Sequence, residues 1–356
     1  MDCDGVTGLG GNLPDLIQHD YSRVGDWVAK GWLLPLDSFV QDKIIDLSSV
    51  SVDSVNSGTF NNNLYAVSMG SNAAGMILDT DAFAKADIPL PQQTWTWADF
   101  EKTCTDIHKK LNISCIESGT LTLNVAWESL WLGYGQMPFS ADGKSLGYTS
   151  SQPYVDYLRM LLRLQESGAK NSFAEEKDGQ GGTLTAATAA MGGYWSNNLV
   201  VVWNQAGENR HFVMTHMPRS TDGCCSSTYI HPSQFLTIAA NSKHPKEAAL
   251  FINYITNSLE ANRVLLGERG VPVSSVVSND LKAFVTPAQA ESFDFIARVV
   301  KDRSPLPPPY TAVEITIRDT VLPEALTSIM FGEVTPEEGM AKFDTDAKAL
   351  LEGTPQ

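Results

Sequence analysis

Short apolar runs of β type alternate with longer segments of helical periodicity along nearly the whole chain, and this alternation restricts the fold more than any other feature. Leu13-Pro14-Asp15-Leu16-Ile17-Gln18 reads as a turn feeding a short buried strand, followed by a helix over about 23–30 that stops at Gly31. Residues 64–69 and 75–78 read as strands separated by Gly70-Ser71-Asn72. Thr96 with Asp99 three residues on approximates a capping box before a helix over Trp97–Leu111, and a strand follows at 113–116. Helices are expected at about 124–132, 152–167 and 183–191. The apolar run 199–203 suits helix or strand equally. A strand at 234–239 precedes a helix at 245–256 with apolar Ala248, Ala249, Phe251, Ile252 and Ile255 at helical spacing. Further helices are expected at about 258–266, 287–300, 313–331 and 336–351, with a stiff proline-rich connection over 304–310. No internal repeat is evident. The pattern predicts an α/β protein with mixed sheets flanked by helices.

A chain of 356 residues is long enough for two domains at roughly 100–200 residues each. Its 43% hydrophobic and 19% charged residues are ordinary globular composition. The formal net charge of −16 repels phosphate backbones and anionic lipid, which argues against nucleic acid or a membrane surface as direct partner. No apolar run approaches the roughly 20 residues of a membrane span, and the first residues show neither a basic nor an apolar leader segment. The five cysteines, Cys3, Cys104, Cys115, Cys224 and Cys225, have no metal-ligand spacing. Cys104 and Cys115 bracket one helix-to-strand connection and are close enough in sequence to meet; adjacent Cys224 and Cys225 suit a vicinal bridge or two free thiols. Enzyme motifs are missing: no Gly-x-Ser-x-Gly elbow, Walker loop or zinc signature, and no marked pair of glycosidase carboxylates.

The order of local motifs then matches a family. Gly11-Asn12-Leu13-Pro14-Asp15-Leu16-Ile17 with Gly31-Trp32-Leu33-Leu34-Pro35-Leu36, and Asn63-Leu64-Tyr65-Ala66-Val67 with Leu78-Asp79-Thr80-Asp81-Ala82-Phe83, are two such pieces. Thr94-Trp95-Thr96-Trp97-Ala98-Asp99-Phe100, Ala190-Met191-Gly192-Gly193-Tyr194-Trp195 and Asn241-Ser242-Lys243-His244-Pro245 are others. Together they resemble the extracellular solute-binding proteins of the maltose-binding type across nearly the whole chain. Glu268-Arg269-Gly270-Val271-Pro272 and the triple proline 307–309 look like a Gram-positive sugar-binding subgroup.

The resemblance implies a two-lobed periplasmic binding protein-like fold of type II with a ligand cleft between lobes. Residues 1–81 and 238–284 would form the first lobe, and 82–237 and 285–356 the second. It implies a monomer that carries a carbohydrate to the permease subunits of an ABC importer, with no catalysis, cofactor or metal. A sugar-sensing receptor subunit and a carbohydrate-active enzyme are the alternatives. The location implied is the outer face of the cytoplasmic membrane or the periplasm, lipid-anchored in a full-length form. Only about a dozen residues precede the Pro-Asp segment, where family members carry some tens, so the first lobe is expected to lack its first strand.

Sugars present hydroxyl edges and apolar C–H faces, so their sites need flat aromatic rings together with carboxylates or amides. By resemblance, Trp195 occupies a sugar-stacking position after two glycines that would end the helix 183–191. His19, Asp20, Tyr21 and Arg23 follow a strand, at the end where open α/β sheets bind ligands; helix capping and surface charge are their ordinary alternatives. Asn124 and Trp127 begin a second-lobe helix, where relatives place an aromatic on the sugar, and Trp127 suits the core equally. Asn72 falls near a predicted crossover, and Tyr310 and Glu314 stand at the start of the last contributing helix. Trp95 and Trp97 read as helix-start packing.

Overall fold

A computed structural model describes residues 13–121, 124–221 and 224–353, and the side chains of residues 124 and 125 are not described. The chain forms two compact units. One comprises Met1–Asn72 with His231–Phe293, and the other Ala73–Ile230 with Asp294–Gln356. Three crossings join them, at 72/73, 230/231 and 293/294, where the sequence reading set them at 81/82, 237/238 and 284/285.

In the first unit the strand Phe235–Ile238 lies between Leu16–His19 and Ala66–Ser68, antiparallel to both. The register pairs Leu16 with Ile238, and Phe235 with both His19 and Ser68. Beneath this sheet the helix Pro245–Asn257 turns Ala248, Ala249 and Ile252 onto Leu236, Ile238, Leu36 and Ile45, while Ile255 is half-buried and Phe251, expected in the same stripe, is exposed. Asp20 caps the helix Tyr21–Ala29 through its side chain.

The second unit is built on the later part of the strand Gly70–Asp79. Ala189–Trp195 and Phe212–His216 pair with it antiparallel, and Ser114–Ile116 pairs parallel to Ala189–Trp195, which makes the sheet mixed. Thr96 and Asp99 close the capping box of the helix Trp97–Leu111. A disulfide joins Cys104 on that helix to Cys115 on the strand Ser114–Ile116, both fully buried. Trp97, Phe100, Trp127, Trp131, Tyr154, Tyr157 and Phe343 pack into one core.

Three local expectations are corrected, and one left open is resolved. Residues 184–187 form a turn, and the predicted helix 183–191 is replaced by the strand Ala189–Trp195. Alanine favours helix alone, but tertiary packing overrides that weak preference. A side chain at Gly192 would meet Tyr194, Leu184 and Glu117, and one at Gly193 would lie 3.0 Å from the Thr120 carbonyl. Small residues let this central strand be covered on both faces. The strand Gly70–Asp79 runs unbroken through Ser71 and Asn72. The run 199–203 belongs to the helix Asn198–Ala206. The single helix expected at 313–331 is three pieces: Ala312–Thr316, a π turn over Ile317–Val321, and Leu322–Met330 with Pro323 in its first turn. Proline withholds a backbone donor from the preceding turn, which accounts for the change of pitch. Among the described residues, no helix is long and apolar enough to cross a membrane.

His216 is fully buried at the end of its strand, edge-on to Phe295, with Nε2 3.1 Å from the Asp302 carbonyl. Burial holds its pKa below the ordinary 6.5, and the nearby Arg219 and Arg298 push the same way against the charge of Asp302. The folded protein therefore binds fewer protons than the unfolded chain, and His216 contributes stability above pH 6.5 that is lost as pH falls through the lowered value. Melting curves between pH 8 and pH 5 should show a decline that is shallower in His216→Gln. Parallel curves for the two proteins would remove the histidine as the cause.

Candidate functional site

The second unit gathers an aromatic and ionic cluster around one buried carboxylate. Glu128 is the one charged residue of the largely apolar helix Asn124–Gly133. Its Oε2 accepts a 2.6 Å hydrogen bond from the Tyr229 hydroxyl, and its Oε1 accepts one of 2.9 Å from Tyr310. Arg318 approaches Oε1 at 3.7 Å while its fork donates to both carboxylate oxygens of Asp319, at 2.8 and 3.1 Å. The Arg318 guanidinium also lies 5.1 Å from the centre of the Tyr310 ring, a cation–π contact. Burial, and then the charge of Glu128, hold both tyrosine hydroxyls well above their usual pKa, so both stay protonated as donors.

Trp195 joins this cluster through Tyr229, whose ring meets it edge-to-face at 5.8 Å. The tryptophan ends the strand Ala189–Trp195 and is only partly buried, with one side against the core. Its placement comes from strand pairing, with Ala74 as partner, and not from the helix-end turn that the sequence suggested. Next to it in sequence, Tyr194 donates to Glu117 at 2.8 Å. Burial raises the Glu117 pKa, against the pull of that hydrogen bond.

A second polar group belongs to the first unit. Asp20 Oδ1 accepts from the Ser22 amide and hydroxyl, and Oδ2 accepts from Gln234 at 3.3 Å. Gln18 donates to the Gln234 carbonyl oxygen at 3.2 Å. Tyr21 is buried, edge-on to His231 at 5.4 Å and tilted against Phe235. His19 is buried against Trp27 at 4.5 Å, and Arg23 is exposed on the helix. Asn72 is half-buried beside Gly270, whose φ of +86° and close approach to the Ser71 carbonyl exclude a side chain.

The expected site residues thus separate. Trp195 and Tyr310 meet in the cluster around Glu128, whereas Asp20, Tyr21 and His19 cluster in the first unit. Trp127, which suited a sugar contact or the core equally, takes the core place, fully buried between Phe139 and Phe343, because the helix turns its apolar face inward. Glu314, also expected at ligand, is buried as the capping-box partner of Thr311 and accepts its amide at 2.6 Å. The Asn124 side chain lies outside the described residues. Trp95 and Trp97 pack in the core as read. Glu128, Tyr229 and Arg318 were missed. The signal for Glu128 was present, a lone carboxylate within Ala126-Trp127-Glu128-Ser129-Leu130-Trp131-Leu132, which burial obliges to find partners. Tyr229 and Arg318 reach it from segments 101 and 190 residues downstream, which no local pattern reveals.

Two α/β units threaded by three crossings, with mixed sheets flanked by helices, are the fold of a solute-binding class of protein. The family model for bacterial extracellular solute-binding proteins matches residues 7–258, and the chain belongs to that family. A lipoprotein encoded in the oleD 5′ region of Streptomyces antibioticus is 23% identical over an alignment of 288 residues that covers 76% of this chain. The chain spans about 60% of the length of that curated relative. Among solved structures, a family 1 extracellular solute-binding protein from Alicyclobacillus acidocaldarius is similar with a TM-score of 0.80 and 26% identity, over 98% of this chain and 86% of its own. A periplasmic oligogalacturonide-binding protein from Yersinia enterocolitica, solved with saturated digalacturonic acid, has a TM-score of 0.80 at 19% identity, over 98% of this chain and 87% of its own.

Proposed function

We propose that this chain captures an oligosaccharide outside the cytoplasmic membrane and hands it unaltered to the permease subunits of an ABC importer. The observation that carries the reading is Trp195 set beside Tyr229, Glu128, Tyr310 and Arg318. A partly open indole offers the flat apolar surface that a pyranose face covers, and the polar groups next to it suit hydroxyls. The amide and carboxylate ladder of Gln18, Gln234 and Asp20 is a second candidate for hydroxyl recognition. The Yersinia neighbour, an oligogalacturonide-binding protein, supports the ligand class, and the Streptomyces lipoprotein supports a lipid anchor.

Capture without cleavage is supported by the state of the carboxylate. A glycosidase requires one carboxyl as acid and a second as nucleophile or base. Glu128 instead has both oxygens engaged by tyrosine hydroxyls. The reading is tested by incubating the protein with maltotriose, cellotriose, xylotriose, chitotriose and saturated digalacturonic acid, recording thermal shifts, and recovering the sugars by chromatography. At least one sugar should raise the melting temperature and be recovered intact, since a ligand of the folded form stabilises it by mass action. Shortened products would make the protein an enzyme, and no shift across a wider glycan library would exclude carbohydrate.

A further inference from the structure

Cys224 and Cys225 are joined in a disulfide, and the segment that follows them leads directly to Tyr229. Residues 226–229 are all buried and are fastened on every side. The Cys225 amide meets the Gly133 carbonyl at the end of the Glu128 helix at 3.4 Å. Ser304 donates its hydroxyl to the Ser226 carbonyl and its amide to the Thr228 carbonyl, and the Thr228 hydroxyl receives the Met217 amide at 2.9 Å. The neighbouring helix end is shaped to the disulfide. A side chain at Gly135, where φ is +67°, would come within 3.0 and 3.3 Å of the two sulfurs, and one at Gly133 would strike the Ser227 hydroxyl at 2.4 Å. The disulfide thus sits at one end of a packed segment whose other end donates to Glu128 and faces Trp195.

We propose that the Cys224–Cys225 disulfide is a redox-sensitive latch that positions Tyr229 in the binding cluster; this rests on the carbohydrate reading given above. The bond is open to attack. Cys224 is exposed, and both cysteines line a pocket of about 430 Å³ together with Gln136, Met137, Arg219 and Pro305. Cys104 and Cys115 are fully buried, so a small dithiol reduces the vicinal pair first. One thiolate of the dithiol attacks a cysteine sulfur, the S–S bond breaks, and a mixed disulfide forms. Its second thiol then closes the reductant into its own disulfide, leaving two protein thiols that have gained two electrons and two protons. With the ring open, the two cysteines regain backbone and side-chain freedom, and the segment no longer holds Tyr229 as firmly on Glu128. Ligand must then order that side chain on binding, which lowers affinity.

The test compares the oxidised protein, the protein treated with dithiothreitol and then reoxidised, and the double variant Cys224→Ser with Cys225→Ser. Amide hydrogen exchange is read over residues 226–230, and affinity is read for whichever of the five sugars named above binds most tightly. Reduction and the double variant should both speed exchange in that segment and weaken the sugar by about tenfold, the size of ordering one or two side chains. Reoxidation should restore the treated wild type, which a merely structural loss would not show. Unchanged exchange overturns the latch, and so does faster exchange with unchanged affinity. If neither these sugars nor a wider glycan library binds, the carbohydrate reading is what fails, while the exchange arm still decides whether the disulfide holds Tyr229.

Discussion

Trp195→Ala is expected to weaken binding of a captured oligosaccharide by about 2 kcal/mol or more, roughly thirtyfold in affinity, as loss of a hot-spot aromatic does. The indole is only partly buried and meets Tyr229 edge-to-face, and a flat aromatic surface is what a pyranose face covers. Its removal should cost less stability than that of a tryptophan wholly inside the core, where about 3–5 kcal/mol is usual. Trp127 supplies that comparison within the same unit, being fully buried between Phe139 and Phe343. Melting curves and sugar affinities of Trp195→Ala and Trp127→Ala should therefore show opposite balances. A Trp195→Ala protein that melts as early as Trp127→Ala yet binds sugar with wild-type affinity would make Trp195 a core residue.

A comparably large loss of stability is expected away from that cluster, at Lys170. Its ammonium donates to Glu176 at 2.5 Å and to the Asn171 carbonyl at 3.1 Å, and both side chains of the pair are almost wholly buried. Two desolvated charges are tolerable only together. Lys170→Met leaves Glu176 without its cation and should cost about 3–5 kcal/mol in denaturant unfolding. Replacing both partners, with Lys170→Met and Glu176→Leu, should recover most of that loss, because nothing charged is then left behind. Equal losses in the single and double variants would show that packing of the lysine stem, and not the orphaned charge, sets the cost.

How far the sequence could be read follows from the range of each interaction. The helix Trp97–Leu111 was legible because its start is decided within four residues, by Thr96 and Asp99. The helix Pro245–Asn257 was legible because its apolar stripe repeats at a local period. Ala189–Trp195 was not, since its strand state depends on partners at Ser114–Ile116 and Gly70–Asp79, far along the chain. The π turn Ile317–Val321, which holds Arg318, likewise has no signature in hydrophobic spacing. At the candidate site, motif order pointed to Trp195 and Tyr310, and a lone glutamate in an apolar helix could have pointed to Glu128. Tyr229 becomes visible only once the chain is folded, because its hydroxyl meets a residue 101 positions earlier. Both cysteine bridges joined residues close in sequence, yet spacing alone left them undecided.

The central claim is that the cluster around Glu128 and Trp195 holds carbohydrate. Differential amide hydrogen exchange, with and without the tightest-binding sugar of the five, tests it most directly. The account predicts that sugar slows exchange within residues 189–195, 226–230 and 310–318, the segments that carry Trp195, Tyr229, Tyr310 and Arg318. Protection by a bound sugar that spares all three segments would contradict it.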